Sequence, residues 1–276
     1  MASRAVQGSV TPGPLSATVA GAVVGVLGGL LGLGGAEFRL PVLVALFGYA
    51  LRQAIPVNLA ISFVAVVIAT LSRWGLAGQT PLPSAVPVAF AMMVGGMIGA
   101  ALGARWLSRV SDARLHAAVR VLLIAIGTLL IVESIGSWVS AGPPLGRPLL
   151  ILVAASAGVG IGAVSTLLGV AGGELIIPTL VLAFGVPIKA AGTMSLLISI
   201  PTMLVGLAQH RARGAFQDVR DVRRVVLPMA IGTVLGSGLG GLLVLYAPAG
   251  AVKFLLGCVL IGSALRVFKA RPATRS

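Results

Sequence analysis

Long apolar runs separated by short basic segments constrain this chain more than any other feature. A helix needs about 20 apolar residues to cross roughly 30 Å of hydrocarbon. Eight runs approach this length: residues 16–33, 54–72, 84–104, 119–139, 148–168, 190–208, 225–246 and 249–267. With 58% hydrophobic and 9% charged residues, the chain has the composition of a membrane protein rather than of a soluble domain. We therefore predict an all-α polytopic membrane protein with eight long transmembrane helices.

The formal net charge of +14 could indicate either nucleic-acid binding or membrane topology. The basic residues lie between the apolar runs, which is how membrane proteins mark their cytoplasmic loops. The expected partner is therefore the lipid bilayer and not a nucleic acid. The sequence contains no P-loop, no HExxH and no nucleophile motif with a buried His, so we predict no enzyme, no cofactor and no metal site.

Two further apolar runs, 37–48 and 174–187, are too short to cross the membrane. As helices of 12 to 14 residues, they would reach only about 20 Å. Each follows a glycine cluster, at 32–35 and at 169–173. The sequence therefore predicts two broken helices of half depth in addition to the eight long ones.

The chain is an internal duplication with an offset of 137 residues. Residues 21–62 match 158–199 at 16 of 42 positions without a gap, and Glu37 aligns with Glu174. The same offset superposes two ladders of glycines spaced by four, which favour close helix packing: Gly95, Gly99, Gly103 and Gly232, Gly236, Gly240. We predict two repeats, at 16–140 and 148–267, flanked by a disordered cytoplasmic tail at 1–15 and a second cytoplasmic tail at 268–276.

The distribution of basic residues bears on whether the repeats are parallel or inverted. With ten crossings and the N-terminus inside, fifteen basic residues are cytoplasmic and four are outside: Arg73, Arg147, Lys189 and Lys253. With eight crossings, the best division is twelve to seven. The positive-inside rule thus favours inverted repeats with both termini in the cytoplasm.

The glycine clusters are the best candidates for a binding site. A break in a membrane helix is tolerated only where its backbone faces protein or a wet cavity, and paired breaks in inverted halves point to a transporter's substrate site. Free N–H groups at the start of each short helix favour an anion. The predicted substrate-binding residues here are Gly34, Gly35, Gly172 and Gly173.

Glu37 and Glu174 open the two short helices. A charge in the membrane costs on the order of 2.5 to 3.5 kcal/mol on insertion scales, so these carboxylates are expected to have a role. Three roles stay open: capping of the helix start, carrying a proton for coupled transport, and binding a cation directly.

Polar side chains near the breaks complete the predicted site. Arg39, whose repeat partner is Ile176, either pairs with a glutamate or holds an anion. Residues spaced by four share a helix face, so the next segment of each half presents a polar stripe, although Ser and Thr also serve as small packing residues. These predicted substrate-binding residues are Asn58 and Ser62 in the first half and Thr193, Ser195 and Ser199 in the second.

The repeated element reads GLGGAEFRLPxL at 32–43 and GVAGGELIIPxL at 169–180, followed by LFG or AFG. This pattern resembles the TauE/SafE sulfite exporter family over essentially the whole chain. The resemblance implies a multi-pass permease of the bacterial inner membrane that moves small sulfur-containing anions such as sulfite or organosulfonates.

We therefore predict a secondary transporter of such anions, coupled to protons through Glu37 or Glu174, with alternating access at a midplane site between the repeats. The predicted partners are a small anionic substrate and, as a further candidate, a second copy of the chain. Two alternatives stay open: a cation or metal permease that uses the paired glutamates, and a membrane subunit that transports nothing.

Overall fold

A computed structural model of the chain describes residues 13–49, 51–106, 112–135, 146–168, 172–216 and 222–266. The described residues form helices and connecting turns, and each apolar run of the sequence corresponds to one helix. The helices of the first half are α1 (Pro14–Leu31), α2 (Ala36–Ala45), α3 (Leu51–Thr70), α4 (Val86–Trp106) and α5 (Asp112–Ile135). Those of the second half are α6 (Arg147–Leu168), α7 (Gly173–Pro178), α8 (Ile188–Ala212), α9 (Leu227–Leu243) and α10 (Ala249–Arg266).

Wider or tighter turns extend several of these helices. α3 continues as a π-helix over Leu71–Leu76, α7 continues as one over Thr179–Ala183, and a π-helix over Val222–Val226 precedes α9. A 3₁₀ turn, Pro83–Ala85, precedes α4. Residues 1–12 and 267–276, which make up most of the predicted tails, and the connection at 136–145 lie outside the described residues. α1 begins at Pro14, so the last two residues of the tail predicted at 1–15 are helical.

Six of the eight predicted crossings correspond to helical stretches of membrane length and composition. Within the described residues, six helical stretches are long and apolar enough to cross a membrane: 14–31, 53–76, 83–102, 147–166, 188–212 and 222–243. The apolar parts of α5 and α10 are shorter, at 123–132 and 249–262, and so is α7 with its extension. The multi-pass helical class is confirmed, whereas eight full crossings stay a prediction.

Glycine ladders join helices from opposite halves. Gly232, Gly236 and Gly240 of α9 lie directly against the backbone of α1, and Gly95 and Gly99 of α4 lie against the backbone of α6. A methyl group at any of these positions would overlap a carbonyl oxygen of the facing helix. Only glycine permits this close approach, so the predicted packing role is confirmed for these five glycines. The contacts of Gly103, the sixth glycine of the ladders, are outside the described part of the structure. The offset of 137 residues maps the α1–α9 pair onto the α6–α4 pair.

Repeat-equivalent helices pack against each other in opposite directions. Between α5 and α10, Gly127 lies against Gly257 while Gly250 lies against Ser134. Residue numbers thus rise along one helix as they fall along the other, which makes the pair antiparallel.

The repeat-equivalent helices α3 and α8 are also antiparallel. Leu59 of α3 contacts Gly206 of α8, whereas the end of α3 contacts Gly192 near the start of α8. An apolar cluster fills this contact, formed by Leu59, Val66, Ala69, Leu196 and Met203.

Candidate functional site

The first glycine break turns the chain sharply between α1 and α2. Gly32, Gly34 and Gly35 have φ angles of 82°, 79° and 76°, in the left-handed region that side chains strongly disfavour. The carbonyl of Gly28 accepts hydrogen bonds from the amides of Gly32 and Leu33, both at 2.9 Å. The turn therefore ends α1 and folds α2 back against it.

The second break has the same local geometry and touches the first. Gly172 has a φ angle of 78° and precedes α7, while the first part of this cluster, 169–171, lies outside the described residues. Gly173 lies against Leu33 of the first break and against Ser195 of α8. The two breaks, one from each half, consequently meet inside the protein.

Arg39 is fully buried and joins α2 to α3. Its Nη1 donates to Ser62 Oγ at 2.6 Å and to two oxygens of Asn58 at 3.4 and 3.5 Å, and its Nη2 donates to the carbonyl of Gly34 at 3.4 Å. Asn58 Nδ2 in turn donates to the carbonyl of Ala36 at 3.0 Å. The predicted stripe of Asn58 and Ser62 thus faces the first break.

Glu37 and Glu174 come together from the two halves. Their side chains are buried, at 8% and 9% exposure, and Glu37 lies within electrostatic range of both Glu174 and Arg39. The Glu37 carboxylate lies near its own backbone amide, but neither oxygen forms a well-aligned hydrogen bond with any described residue. No side-chain capping bond is formed at the start of α2, and the role of Glu37 stays a prediction. A direct ion pair with Arg39 is also absent from the described contacts.

The predicted polar side chains of α8 are all buried, and one of them contacts the second break. Thr193, Ser195 and Ser199 are buried, at 0%, 0% and 1% exposure. Thr193 Oγ1 donates to the carbonyl of Lys189 at 3.3 Å, a bond along its own helix. Ser195 Oγ lies beside Gly173 and has no hydrogen-bond partner among the described residues.

The structure thus brings several of the predicted residues together: Asn58 and Ser62 lie against Arg39, Glu37 lies near Glu174, and Ser195 lies beside Gly173. Thr193 and Ser199 are buried in α8, and the role of all these residues in substrate binding stays a prediction. A small crevice lies between α4, α6, α7 and α8. Its polar lining residues are Ser165 and Thr202. Nothing in the described part of the chain forms a cluster of three or more His, Cys, Asp or Glu side chains suited to a metal ion.

Sequence reasoning missed one buried residue, Arg73. Topology counting assigned it to an outside loop because it directly follows an apolar run. In the structure its side chain is fully buried, in the π-helical end of α3. One signal was present in the sequence, since the offset of 137 residues pairs Arg73 with another basic-type side chain, His210.

These features define a multi-pass helical membrane protein with a buried polar centre. The family model of the sulfite exporter TauE/SafE matches residues 2–130 and 154–276. The chain belongs to this family, so the prediction from its repeated motif is confirmed, and the family consists of transporters rather than enzymes. Neither the curated proteins nor the solved structures contain a match.

Proposed function

We propose that the chain is a secondary transporter that exports small sulfur-containing anions, such as sulfite or organosulfonates, in exchange with or together with protons. One observation carries the proposal: a buried arginine and two buried glutamates meet where the helix breaks of both halves touch. Family membership supplies the class of substrate. The site supplies groups of the right charge and polarity.

The contacts of Arg39 favour an anion as the substrate. Three of its four hydrogen bonds are 3.4 to 3.5 Å long, at the weak end of the range for N–H donors. Its Nε has no partner among the described residues. An oxyanion would offer charged acceptors, which form shorter and roughly twice as strong bonds with a guanidinium. Such an anion would therefore compete well with the present carbonyl and amide acceptors.

The charges of the site favour coupling to protons. Arg39 is one positive charge for two nearby carboxylates, Glu37 and Glu174, and an anion adds more negative charge to the same buried place. Like charges repel strongly where water is excluded. Binding of the anion is therefore expected to be accompanied by binding of a proton to one of the glutamates.

The directions of the helices support alternating access by inverted repeats. Equivalent helices run antiparallel both at α5 with α10 and at α3 with α8. A twofold axis that reverses spanning helices lies in the membrane plane, which is the arrangement of inverted repeats. We extend this to a bacterial inner-membrane protein with both termini in the cytoplasm. A homodimer stays a prediction.

The two glutamates also support a second candidate, a cation permease. Glu37 and Glu174 lie close together, and the oxygens of Glu37 accept no well-aligned hydrogen bond from the described residues, so a cation would gain ligands there. The nearby guanidinium of Arg39 counts against it, because it repels cations.

Flux measurements in proteoliposomes test both candidates. Purified wild type is expected to move radiolabelled sulfite at a rate that depends on the pH gradient. Arg39→Gln should lower this flux at least about tenfold, because it removes a charge-assisted contact. Glu37→Gln and Glu174→Gln should remove the pH dependence, whereas Asp112→Asn, at the first residue of α5, is the matched carboxylate control.

Two results would contradict the proposal. If the sulfite flux still depends on pH in both glutamate variants, these residues have no role in coupling. Flux of divalent cations, lost in the glutamate variants and kept in Arg39→Gln, would establish the cation permease instead.

A further inference from the structure

We propose that Arg73 forms a second anion-binding site, for a small oxyanion, at the closed contact between the first glycine break and α8. The expectation that this oxyanion is sulfite or a sulfonate rests on the proposed function. The existence of the site rests on the surroundings of Arg73 alone.

Three glycines make the space that the Arg73 side chain fills. A methyl group on Gly32 would lie 2.6 Å from Nη1, and one on Gly192 would lie 2.5 Å from the same atom. On the other side, a methyl group on Gly241 would lie 3.2 Å from Arg73 Cγ. The guanidinium therefore sits between the first break and the start of α8, where only bare backbone leaves it room.

The guanidinium is poorly satisfied in this position. Nη2 donates to the carbonyl of Lys189 at 3.4 Å, and neither Nε nor Nη1 has a partner among the described residues. No carboxylate of the described chain lies within ion-pairing distance of it, and burial is the only marked influence on its charge. Arg remains protonated in proteins and carries five N–H donors. A fully buried cation without a counter-ion is strongly unfavourable, so this site favours an anion.

Arg73 and Arg39 approach the same turn from two sides. Arg39 donates to the carbonyl of Gly34, whereas Arg73 lies against Gly32. Arg39 has four hydrogen-bond acceptors and a glutamate nearby, whereas Arg73 has one acceptor and no carboxylate. An anion that leaves the Arg39 site along the first break would therefore meet a cation whose donors are free.

The neighbouring tryptophan provides a local reporter. Trp74 follows Arg73 directly, and its side chain is 48% exposed. Replacing Trp106 and Trp138 by Phe leaves Trp74 as the only indole in the chain. Titrations of this single-tryptophan protein with sulfite, methanesulfonate, phosphate and chloride then follow binding at this place by fluorescence.

We expect sulfite to change the Trp74 emission with saturation in the single-tryptophan protein and in its Arg39→Gln variant. Arg73→Gln should weaken this response at least about tenfold, because the charge-assisted contact is lost. Arg73→Lys keeps the positive charge, and its affinity for sulfite should lie within about tenfold of that of the parent protein. Such binding would show that the altered site still folds. Arg223→Gln, at an exposed arginine, is the control for loss of one positive charge.

The outcomes separate this proposal from the proposed function. The Arg73 site would be overturned if Arg73→Gln bound sulfite with unchanged affinity. It would also be overturned if the Trp74 response were lost in Arg39→Gln and kept in Arg73→Gln. In either case the sulfite flux assay could still succeed. A saturable response to phosphate that needs Arg73, without any response to sulfite or methanesulfonate, would establish the oxyanion site and overturn the sulfur-anion assignment. A response to chloride alone, or to none of the four anions, would overturn the oxyanion site.

Discussion

The glycine ladder between α4 and α6 allows a sharp test, because one helix carries both a packed glycine and an open one. Gly158 of α6 lies against α4: a methyl group there would lie 2.9 Å from Met92 Cα and 3.0 Å from the amide of Gly96, and would overlap the Met92 carbonyl oxygen. Gly160, two residues further along, has no atom within 4 Å of the same methyl position. The pair therefore separates the effect of helix contact from the effect of glycine itself.

Alanine is expected to change the free energy of unfolding in opposite directions at the two positions. Gly160→Ala should stabilise the helix by about 0.5–1 kcal/mol, since glycine loses more backbone entropy than alanine. Gly158→Ala has the same favourable effect on backbone entropy. However, inserting a methyl group into a closed contact forces the helices apart and typically costs about 1–3 kcal/mol. The free energy of unfolding of Gly158→Ala should consequently be about 1–3 kcal/mol below that of Gly160→Ala.

Thermal unfolding in one detergent gives the comparison. At roughly 2–4 °C per kcal/mol for a chain of this size, the midpoint of Gly158→Ala should lie about 2–12 °C below that of Gly160→Ala. Equal midpoints for the two variants, or a higher midpoint for Gly158→Ala, would refute the close α4–α6 contact.

Two further results are expected. Ser62→Ala removes the 2.6 Å bond to a buried guanidinium and should lower stability by about 1.5–3 kcal/mol in the same assay, whereas the exposed Ser156→Ala should lower it far less. The second result concerns the double variant Leu59→Cys and Gly206→Cys in a Cys258→Ser background, in which a disulfide would tie α3 to α8. This disulfide should stop sulfite flux until it is reduced. Unchanged flux in the oxidised protein would argue against motion between α3 and α8. The reduced double variant is the control.

Much of the fold was predictable because the repeat and the apolar runs are local signals. A helix of membrane length requires a continuous apolar run, and a break requires glycines, so α1, α2 and the turn between them follow from residues 16–48. The sequence also predicted full crossings at 119–139 and 249–267, which correspond to α5 and α10. Within the described residues their apolar parts are too short to count as full crossings by composition.

The sequence predicted that Asn58 and Ser62 share a helix face, but not the contacts that they make; membership of the substrate site stays a prediction. The i,i+4 spacing correctly placed Asn58 and Ser62 on one face toward the break. It could not decide between a glutamate and an anion as the partner of Arg39, whose hydrogen bonds instead go to Ser62, Asn58 and Gly34. That choice depends on how α3 packs on α2, which spacing along the chain does not specify.

Arg73 was missed for a related reason. Counting charges treats a basic residue at the end of an apolar run as a loop residue at the membrane surface. Its burial depends on Gly32, Gly192 and Gly241, which come from α3's neighbours in both halves and are far apart in sequence. Only the tertiary arrangement brings these glycines around one guanidinium.

The same arrangement limits which parts of the molecule can move to open the site. The glycine contacts join α1 to α9 and α4 to α6, so each interlocked pair contains one helix from each half. Separating the halves as whole bodies would break both pairs, and with them contacts that only glycine allows. The contact between α3 and α8 includes one close approach at a glycine, where Arg73 lies against Gly192, but its apolar cluster is formed by aliphatic side chains around Leu59, Leu196 and Met203. Non-directional contacts of this kind allow one surface to shift over the other at smaller cost. Alternating access is therefore expected to move α3 relative to α8 while the α1–α9 and α4–α6 pairs stay intact.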